Sequence, residues 1–244
     1  MIRQIKRVAK ISQQSSYSKI TFNTNLPLSI TVLEKLYQNQ YKLQVGKQEL
    51  KARSNRTLSV NKQYWGILEE NKEAILNLSH LVQKPEIYNS NSAFLDIEFD
   101  LFAQLLEEDP TPIQTLKKQM VEKMLDATTS KEEFLTLTYM LLAQNQGIFH
   151  FPIFLEGKKI LLQFEKQDLH TTVFYLAFEN LGPIRGIIRE NGKILDISFE
   201  VMFDKSYQLL QKELKQNDLH ITVTRTDMMV PLFNPSDVLL DVKG

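Results

Sequence analysis

Three acidic residues alternate along one short segment of the chain, at Asp96, Glu98 and Asp100. In an extended conformation this spacing would place the carboxylates on one side of the backbone. Carboxylates held close together shift each other's pKa and can bind a metal ion or carry out acid–base chemistry. No histidine and no glycine-rich loop accompanies them, so the spacing favours a solvated acidic surface. We therefore expect neither a catalytic nor a metal site here.

The histidines offer no better set of metal ligands. None of them has another histidine or a carboxylate three or four residues away, in the arrangement that zinc sites use. The chain also has no cysteine, which excludes disulfides, thiolate zinc sites and cysteine nucleophiles. We expect solvent-facing or core-edge positions rather than metal ligation for the four histidines, which are His80, His150, His170 and His220.

Motifs that bind phosphate or activate a serine are also missing from the sequence. The chain contains neither GxxxxGK[ST] nor GxGxxG, so no backbone cradle for phosphate is visible, and it contains no GxSxG elbow. We therefore expect a protein that is not an enzyme and that carries no cofactor and no metal.

The pair Tyr64-Trp65 is the one feature that suits nucleic acid, because it lies in a basic part of the chain. Aromatic side chains stack on bases while lysine and arginine neutralise phosphates. A tryptophan in a protein core is the commoner outcome. Binding of nucleic acid by a basic N-terminal barrel is therefore the alternative hypothesis, and we expect it to be weak or absent.

Composition indicates an ordinary globular protein with an uneven distribution of charge. The 244 residues are 43% hydrophobic and 24% charged, and no apolar run approaches the length of about 20 residues that a membrane span needs. Residues 1–84 hold 14 basic and 5 acidic residues, whereas residues 85–150 hold 4 and 11. This asymmetry indicates either an acidic partner or contact between the chain's own halves, and we prefer the second.

Residues 26–84 predict a small β domain that follows a flexible N-terminus, residues 1–25. About five short strands are expected there, and their close spacing is typical of a small barrel. Residues 32–38 fit either a strand or a short helix. The predicted strands are residues 41–45, 49–53, 58–60, 64–68 and 74–78.

Residues 94–147 predict a helical connector that follows a polar linker and joins the two β-containing parts. Ser130 and Thr111 each begin a pattern that is typical of a capping box, so each is expected to start a helix. Methionines on the predicted inner faces are expected to fill the core rather than to form a binding surface. They are Met120, Met124 and Met140.

Residues 148–244 predict an α+β domain. A hairpin over residues 149–164 should add strands to a sheet of three antiparallel strands, one helix and a last strand. Asn191-Gly192 predicts a type I′ turn, which needs positive φ at both central residues. Residues 228–233 form an apolar tail that either packs back on the fold or is exposed for docking, and packing is favoured.

Residues 176–184 read Leu-Ala-Phe-Glu-Asn-Leu-Gly-Pro-Ile, and a hairpin, a leucine-rich helix and a strand follow. This order resembles the C-terminal domain of flagellar hook-length control proteins. Their pattern Leu-x-Pro-x-x-Leu-Gly-x-Val-x-Val precedes a hairpin, a strand ending in Phe, a Leu-rich helix and a Val-x-Val strand. Here Phe178 replaces the family's Pro and Gly186 replaces its second Val. The resemblance covers residues 172–225.

The resemblance implies roles for two sets of residues. Positions that match the family's pattern are expected mostly to support the fold, and they are Leu176, Leu181, Gly182, Ile184, Phe199, Leu210, Leu214 and Val223. Residues on the outer face of the predicted helix contribute little to any core and are the candidates for binding a partner. They are Lys205, Gln208, Lys212 and Lys215.

A non-enzymatic regulator of bacterial flagellar type III export is the function that the resemblance implies. The C-terminal domain would contact the cytoplasmic part of the membrane export gate and switch export from rod and hook proteins to filament proteins. Hook or hook-cap proteins are further candidate partners. A cytoplasmic location is implied, without membrane insertion, and export of the chain itself through the flagellar apparatus stays open. The compact N-terminal half departs from the family's long ruler region, so ruler activity is in doubt.

Overall fold

Alternation of apolar and polar residues between Leu28 and Gln83 produces five strands that close into a barrel. In β2, for example, Tyr41 and Leu43 point into the barrel while Lys42 lies on its outer side. The computed structural model describes residues 26–70, 76–85, 98–155, 157–192, 194–214 and 220–237. The barrel strands are β1 Leu28–Lys35, β2 Gln40–Val45, β3 Gln48–Ser54, β4 Gln63–Glu70 and β5 Leu76–Gln83.

The barrel has the strand order β1-β2-β3-β5-β4, and β4 pairs back with β1 to close it. All pairs are antiparallel except β3 with β5, which is parallel. This order is that of the OB fold, a five-stranded Greek-key barrel. The sequence therefore predicted the small barrel correctly.

Two details of the barrel differ from the prediction. Residues 58–60 are not a strand but part of the loop between β3 and β4, although Leu58 is buried and its N–H donates to the Tyr41 hydroxyl at 3.2 Å. One buried apolar residue in a loop gives the same short alternation as a strand. The fifth strand is instead β1, which overlaps residues 32–38, the segment that fitted either a strand or a short helix. The predicted flexible residues 1–25 and the linker residues 86–93 lie outside the described residues.

Three helices follow within the predicted segment. Ser130 is the N-cap of the third helix and forms the predicted capping box. Its hydroxyl accepts from the Glu133 N–H, and the Glu133 carboxylate accepts from the Ser130 N–H. Thr111 precedes the second without a side-chain cap; the Asp109 carboxylate accepts its N–H instead, at 2.7 Å. The helices are α1 Phe99–Glu108, α2 Pro112–Leu125 and α3 Lys131–Asn145.

The C-terminal part is a six-stranded sheet with the order β11-β10-β9-β8-β7-β6 and a fourth helix. As predicted, a hairpin adds two strands to three antiparallel ones, and the helix connects β10 to β11, which are parallel. The elements are β6 Ile148–Leu155, β7 Lys158–Lys166, β8 Thr171–Phe178, β9 Gly182–Asn191, β10 Ile194–Val201, α4 Asp204–Leu214 and β11 His220–Arg225.

All four helices cover one side of this sheet, which we call the helix face. A row of paired residues on that face includes Phe149, Phe174 and Phe199, and the buried residues of the helices join the same core cluster. Met120 and Met140 fill this core, as expected. The helical segment is therefore more than a connector, because it supplies a layer of the C-terminal part.

The hairpin between β9 and β10 differs from its prediction by one residue. Asn191 is the last paired residue of β9, opposite Ile194, and it does not have positive φ. Gly192 does, with φ of +62°. This register keeps Ile188 opposite Ile197 on the helix face, so burial of the apolar row decides where the turn lies.

Candidate functional site

The turn between β8 and β9, residues 178–182, is the centre of the family-like pattern, and we call it the Gly182 turn. Gly182 has φ of +76°, a conformation that other residues rarely adopt. A Cβ atom at this position would lie 2.5 Å from Cε2 of Phe203. The Leu181 carbonyl accepts a hydrogen bond from the Ser206 hydroxyl at 2.8 Å, which ties the turn to the start of α4.

The residues that match the family pattern lie inside the molecule. Seven of the eight are buried, and Val223 is half-buried against the same core. They bring the Gly182 turn, β9, β10 and α4 together around the helix face. They therefore position a surface without forming it, and a partner would have to bind elsewhere.

The outer side of α4 carries the predicted partner-binding residues. Ser206, Leu210 and Leu214 are buried, so the opposite side of the helix faces outward. There the structure places Gln208 and Lys212 exposed, and Lys205 half-buried. Lys215 lies outside the described residues.

Trp65 joins the barrel to the other side of the sheet, which we call the barrel face. Its side chain is completely buried, and its indole Nε1–H donates to the Phe178 carbonyl in the Gly182 turn at 2.9 Å. Its ring packs in one cluster with Tyr175 and Phe203 of the C-terminal part. Trp65 is thus neither barrel core nor an exposed stacking platform, but the contact between the two parts of the molecule.

Lys84 lies beside Trp65 and is also buried. Its ammonium donates to the Ser29 hydroxyl at 2.7 Å and lies 5.3 Å from the centre of the Trp65 ring. Burial lowers the pKa of Lys84 to about 8, and the nearby Glu179 carboxylate opposes that shift. Since Glu179 belongs to the Gly182 turn, the barrel and the turn are linked by charge as well as by packing.

Gln163 holds the apolar tail against the barrel face. Its side-chain oxygen accepts the N–H of Leu232 at 2.8 Å, and its Nε2 donates to the Phe233 carbonyl at 2.7 Å. Phe233 is buried, whereas Met228 stays largely exposed. The favoured prediction, that the tail packs back on the fold, is therefore correct for Met229, Leu232 and Phe233, whereas Val230 is exposed.

His150 completes this arrangement. Its Nδ1 lies 2.8 Å from Nε2 of Gln163, which must donate, so the proton of a neutral His150 is on Nε2. That Nε2 is buried and has no hydrogen-bond partner. Complete burial lowers the pKa of His150 to about 3. His150 is therefore a neutral residue inside the core, and not at the core edge or in solvent as predicted, because Phe233 of the tail packs against its ring.

The two described residues of the acidic segment, Glu98 and Asp100, lie at the start of a helix. Glu98 is the N-cap of α1 and Asp100 lies in its first turn, where a carboxylate interacts favourably with the helix dipole. Asp96 lies outside the described residues. Within the described part of the chain, no group of three or more histidine, aspartate or glutamate side chains could hold a metal ion. The other three histidines, His80, His170 and His220, are exposed.

The nucleic-acid hypothesis requires that Tyr64 and Trp65 be exposed to stack on bases, and the structure does not show this. Tyr64 and Trp65 are both buried, so neither can stack on a base. The outer side of β2 and β3 has mixed charge, with Lys42 bound to Glu49 at 2.7 Å. Residues 26–84 hold nine basic and five acidic residues, so much of the N-terminal excess of positive charge belongs to residues 1–25.

The contacts of Trp65, Lys84 and Gln163 were not found from the sequence. Gln163 gave the clearest signal, because it interrupts the apolar run of β7 and a buried amide needs partners. Lys84 follows β5 among polar residues and gave none. Each of these contacts joins residues far apart in the chain, which local patterns do not reveal.

Comparison with known proteins adds no relative. No family model matches the chain, and no curated protein and no solved structure matches it at a significant level. Among the described residues, no helix is long and apolar enough to cross a membrane.

Proposed function

We propose that this protein is a non-enzymatic regulator of flagellar type III export that resembles hook-length control proteins. It would switch the class of exported substrate when its C-terminal part contacts the cytoplasmic domain of the membrane export gate. One observation carries the proposal. The elements of the family-like pattern occur in the expected order and fold as one unit, in which β10, α4 and parallel β11 follow the Gly182 turn and the β9–β10 hairpin.

The division of labour within this unit also supports a binding role. The residues that match the family pattern pack in the core, whereas Gln208 and Lys212 on the outer side of α4 are exposed to solvent. Exposed charged residues on a rigid helix can steer and select a partner without adding to the fold. Two buried polar side chains bind backbone carbonyls near this unit, since Ser206 donates to Leu181 and Gln163 donates to Phe233 of the tail.

A binding experiment should use the full chain and the soluble domain of the export gate from the same organism. Residues 150–244 alone would leave the helix face without α1–α3 and the barrel face without Trp65. Exchanging Lys212 for Glu should weaken binding by about tenfold, because one favourable charge contact becomes repulsive. Lys117→Glu, at an exposed position of α2, is the matched control and should bind normally.

A genetic experiment tests the switch itself. Cells that lack the gene should assemble abnormally long hooks, because export would not change to filament proteins at the proper time. Cells that carry Lys212→Glu should show the same defect in milder form, with normal amounts of the protein. Hooks and filaments of normal length in the deletion strain would contradict the proposed function.

A further inference from the structure

The two edge strands of the C-terminal sheet, β6 and β11, differ in how far other elements cover them. The β6 edge runs beside α3, contains Pro152, and contacts Glu98 through a bridge to Phe154. Along β6 seven of eight residues are buried. At the opposite edge, β11 pairs with β10 alone among the described residues, and exposed residues alternate along it.

The hydrogen bonds of β11 identify which of its backbone groups point away from the sheet. The Thr226 N–H donates to the Val201 carbonyl, at the end of the parallel β10–β11 pair. Successive residues of a strand point their backbone groups to opposite sides, so Thr224 and Thr222 also face β10. The N–H and C=O groups of Ile221 and Val223 therefore point outward, in the geometry that an added strand requires.

As far as the structure describes the chain, this edge lacks the features that usually protect a strand from pairing. Native edge strands are commonly short or bulged, or carry lysine or proline. In β11 the register with β10 is unbroken over six residues, and neither proline nor lysine occurs in it. Its one arginine, Arg225, is at the end of the strand and forms an ion pair with Asp204.

We infer that the outer edge of β11 accepts an extended segment of another protein as a seventh strand. The inference rests on the proposed function in one respect, that the C-terminal part is where a partner binds. Ile221 and Val223 are half-buried on the helix face, whereas Thr222 and Thr224 are exposed on the other. A matching segment would alternate β-branched apolar residues, which extend the helix face, with threonine or serine beside the exposed threonines.

A second copy of the chain fits this edge less well than a different protein. Six residues make a contact only about 20 Å long. Pairing along this strand alone falls below the area of about 1,000 Å² that a stable interface buries, whichever chain supplies the added strand, so a stable partner must also contact a neighbouring surface. A different protein could pair with β11 and also reach the outer side of α4, which connects to β11 and carries Lys212.

A pair of substitutions separates backbone pairing from side-chain packing. Val223→Pro removes an outward N–H without removing a bond to β10, and proline is tolerated on an edge in that position. Val223→Ala loses the same side-chain packing but keeps the N–H, so it is the matched control. If Val223→Pro does not fold, Ile221→Pro and Ile221→Ala form the second pair.

The probe is a display library of short peptides that alternate valine or isoleucine with threonine, serine or randomised residues. Peptides selected on the full chain should bind Val223→Ala normally and bind Val223→Pro about tenfold more weakly, the scale of one hydrogen bond. Bound peptide should also protect the Ile221 and Val223 amides from hydrogen exchange. In the free chain these two amides should exchange faster than those of Thr222 and Thr224.

Four results would overturn the inference. The library could yield no binder, or binders that tolerate Val223→Pro. The outward amides could already be protected in the free monomer, or the chain could form a dimer that Val223→Pro dissociates. Peptide binding without binding of the gate domain would keep the strand site and reject the flagellar partner. Binding of the gate domain that tolerates Val223→Pro would keep the flagellar partner and reject the strand site.

Discussion

Gly182 combines a backbone conformation and a close contact that no other residue could satisfy at once. Its φ of +76° lies in the left-handed region, and a Cβ atom would collide with the Phe203 ring. Phe203 in turn packs with Trp65, so a change at Gly182 would disturb the contact between barrel and sheet. A single glycine thus connects the family-like pattern to the architecture of the whole molecule.

Gly182→Val should lower the free energy of unfolding by roughly 1–3 kcal/mol from backbone strain, with a further loss from displacement of Phe203. Urea denaturation measures the change. Gly157→Val is the matched control, because Gly157 has φ of +73° but a Cβ atom there meets nothing within 4 Å. The control should show the strain alone. Equal stability of the Gly182 variant and the wild type would contradict the requirement for glycine.

His150 makes stability depend on pH in a predictable direction. Its pKa is about 3 in the folded protein, below the ordinary 6.5, because burial disfavours the charged ring. The unfolded chain therefore binds a proton between these two values that the folded chain does not. Stability from this group is complete above about pH 6.5 and falls as the pH decreases toward 3.

The free energy of unfolding should therefore fall by roughly 2 kcal/mol between about pH 7 and pH 5, at 1.36 kcal/mol per unit. His150→Gln should remove most of this dependence, since glutamine does not titrate and can accept from Gln163. Urea denaturation at several pH values measures the slope. Carboxylates whose pKa is lowered, such as Asp109 and Asp168, act at lower pH. An unchanged slope in the variant would contradict the assignment to His150.

At the scale of elements, local patterns predicted the strands and helices where burial follows a regular period. Ser130 began a helix as predicted, and the order from β8 to β11 was correct, because continuous or alternating apolar runs mark the strands and a helical apolar period marks α4. Errors arose where one residue decided the outcome. Leu58 is buried from a loop, and the β9–β10 register moved the turn from Asn191 to Gly192.

The arrangement of elements was harder to predict than the elements themselves. Nothing near Trp65 in the sequence indicates that it donates to Phe178, which lies 113 residues away. The helices from α1 to α3 were predicted to be a connector. The spacing of their apolar residues shows that each helix has an apolar side, but it does not show which element packs against that side. Long-range partners of an apolar residue follow from the whole fold, so the exposure of Gln208 and Lys212 on α4 could be predicted and the barrel face could not.

The barrel should bind single-stranded oligonucleotides weakly at physiological salt. Tyr64 and Trp65 are buried, and Glu49 offsets Lys42 on the outer side of β2 and β3, the region that binds ligands in OB barrels. Fluorescence polarisation with labelled oligonucleotides measures the affinity. Sub-micromolar binding that is lost when Lys51 and Arg53 are neutralised would instead favour the nucleic-acid hypothesis.

At the scale of the whole molecule, the sheet is the middle layer between helices and barrel. The helix face is covered by α1–α4, and the barrel face is covered by Trp65 and the tail that Gln163 holds. The Gly182 turn contacts both layers, because Phe178 accepts from Trp65 and Leu181 accepts from Ser206. A short path of two hydrogen bonds therefore connects the barrel to α4 through this turn.

This arrangement predicts that the barrel and the sheet unfold together. Trp65 is the sole tryptophan of the chain and lies in their contact, so its fluorescence should change in the same transition as the circular dichroism of the whole protein.

Trp65→Ala should remove about 3–5 kcal/mol of packing at the contact and split unfolding into two transitions by circular dichroism. Leu43→Ala, in the barrel core, is the control. It should lower the midpoint but keep one transition, because the contact with the sheet is intact. Two transitions already present in the wild type would show that the contact does not couple the parts, and the path from the barrel to α4 would then have no energetic basis.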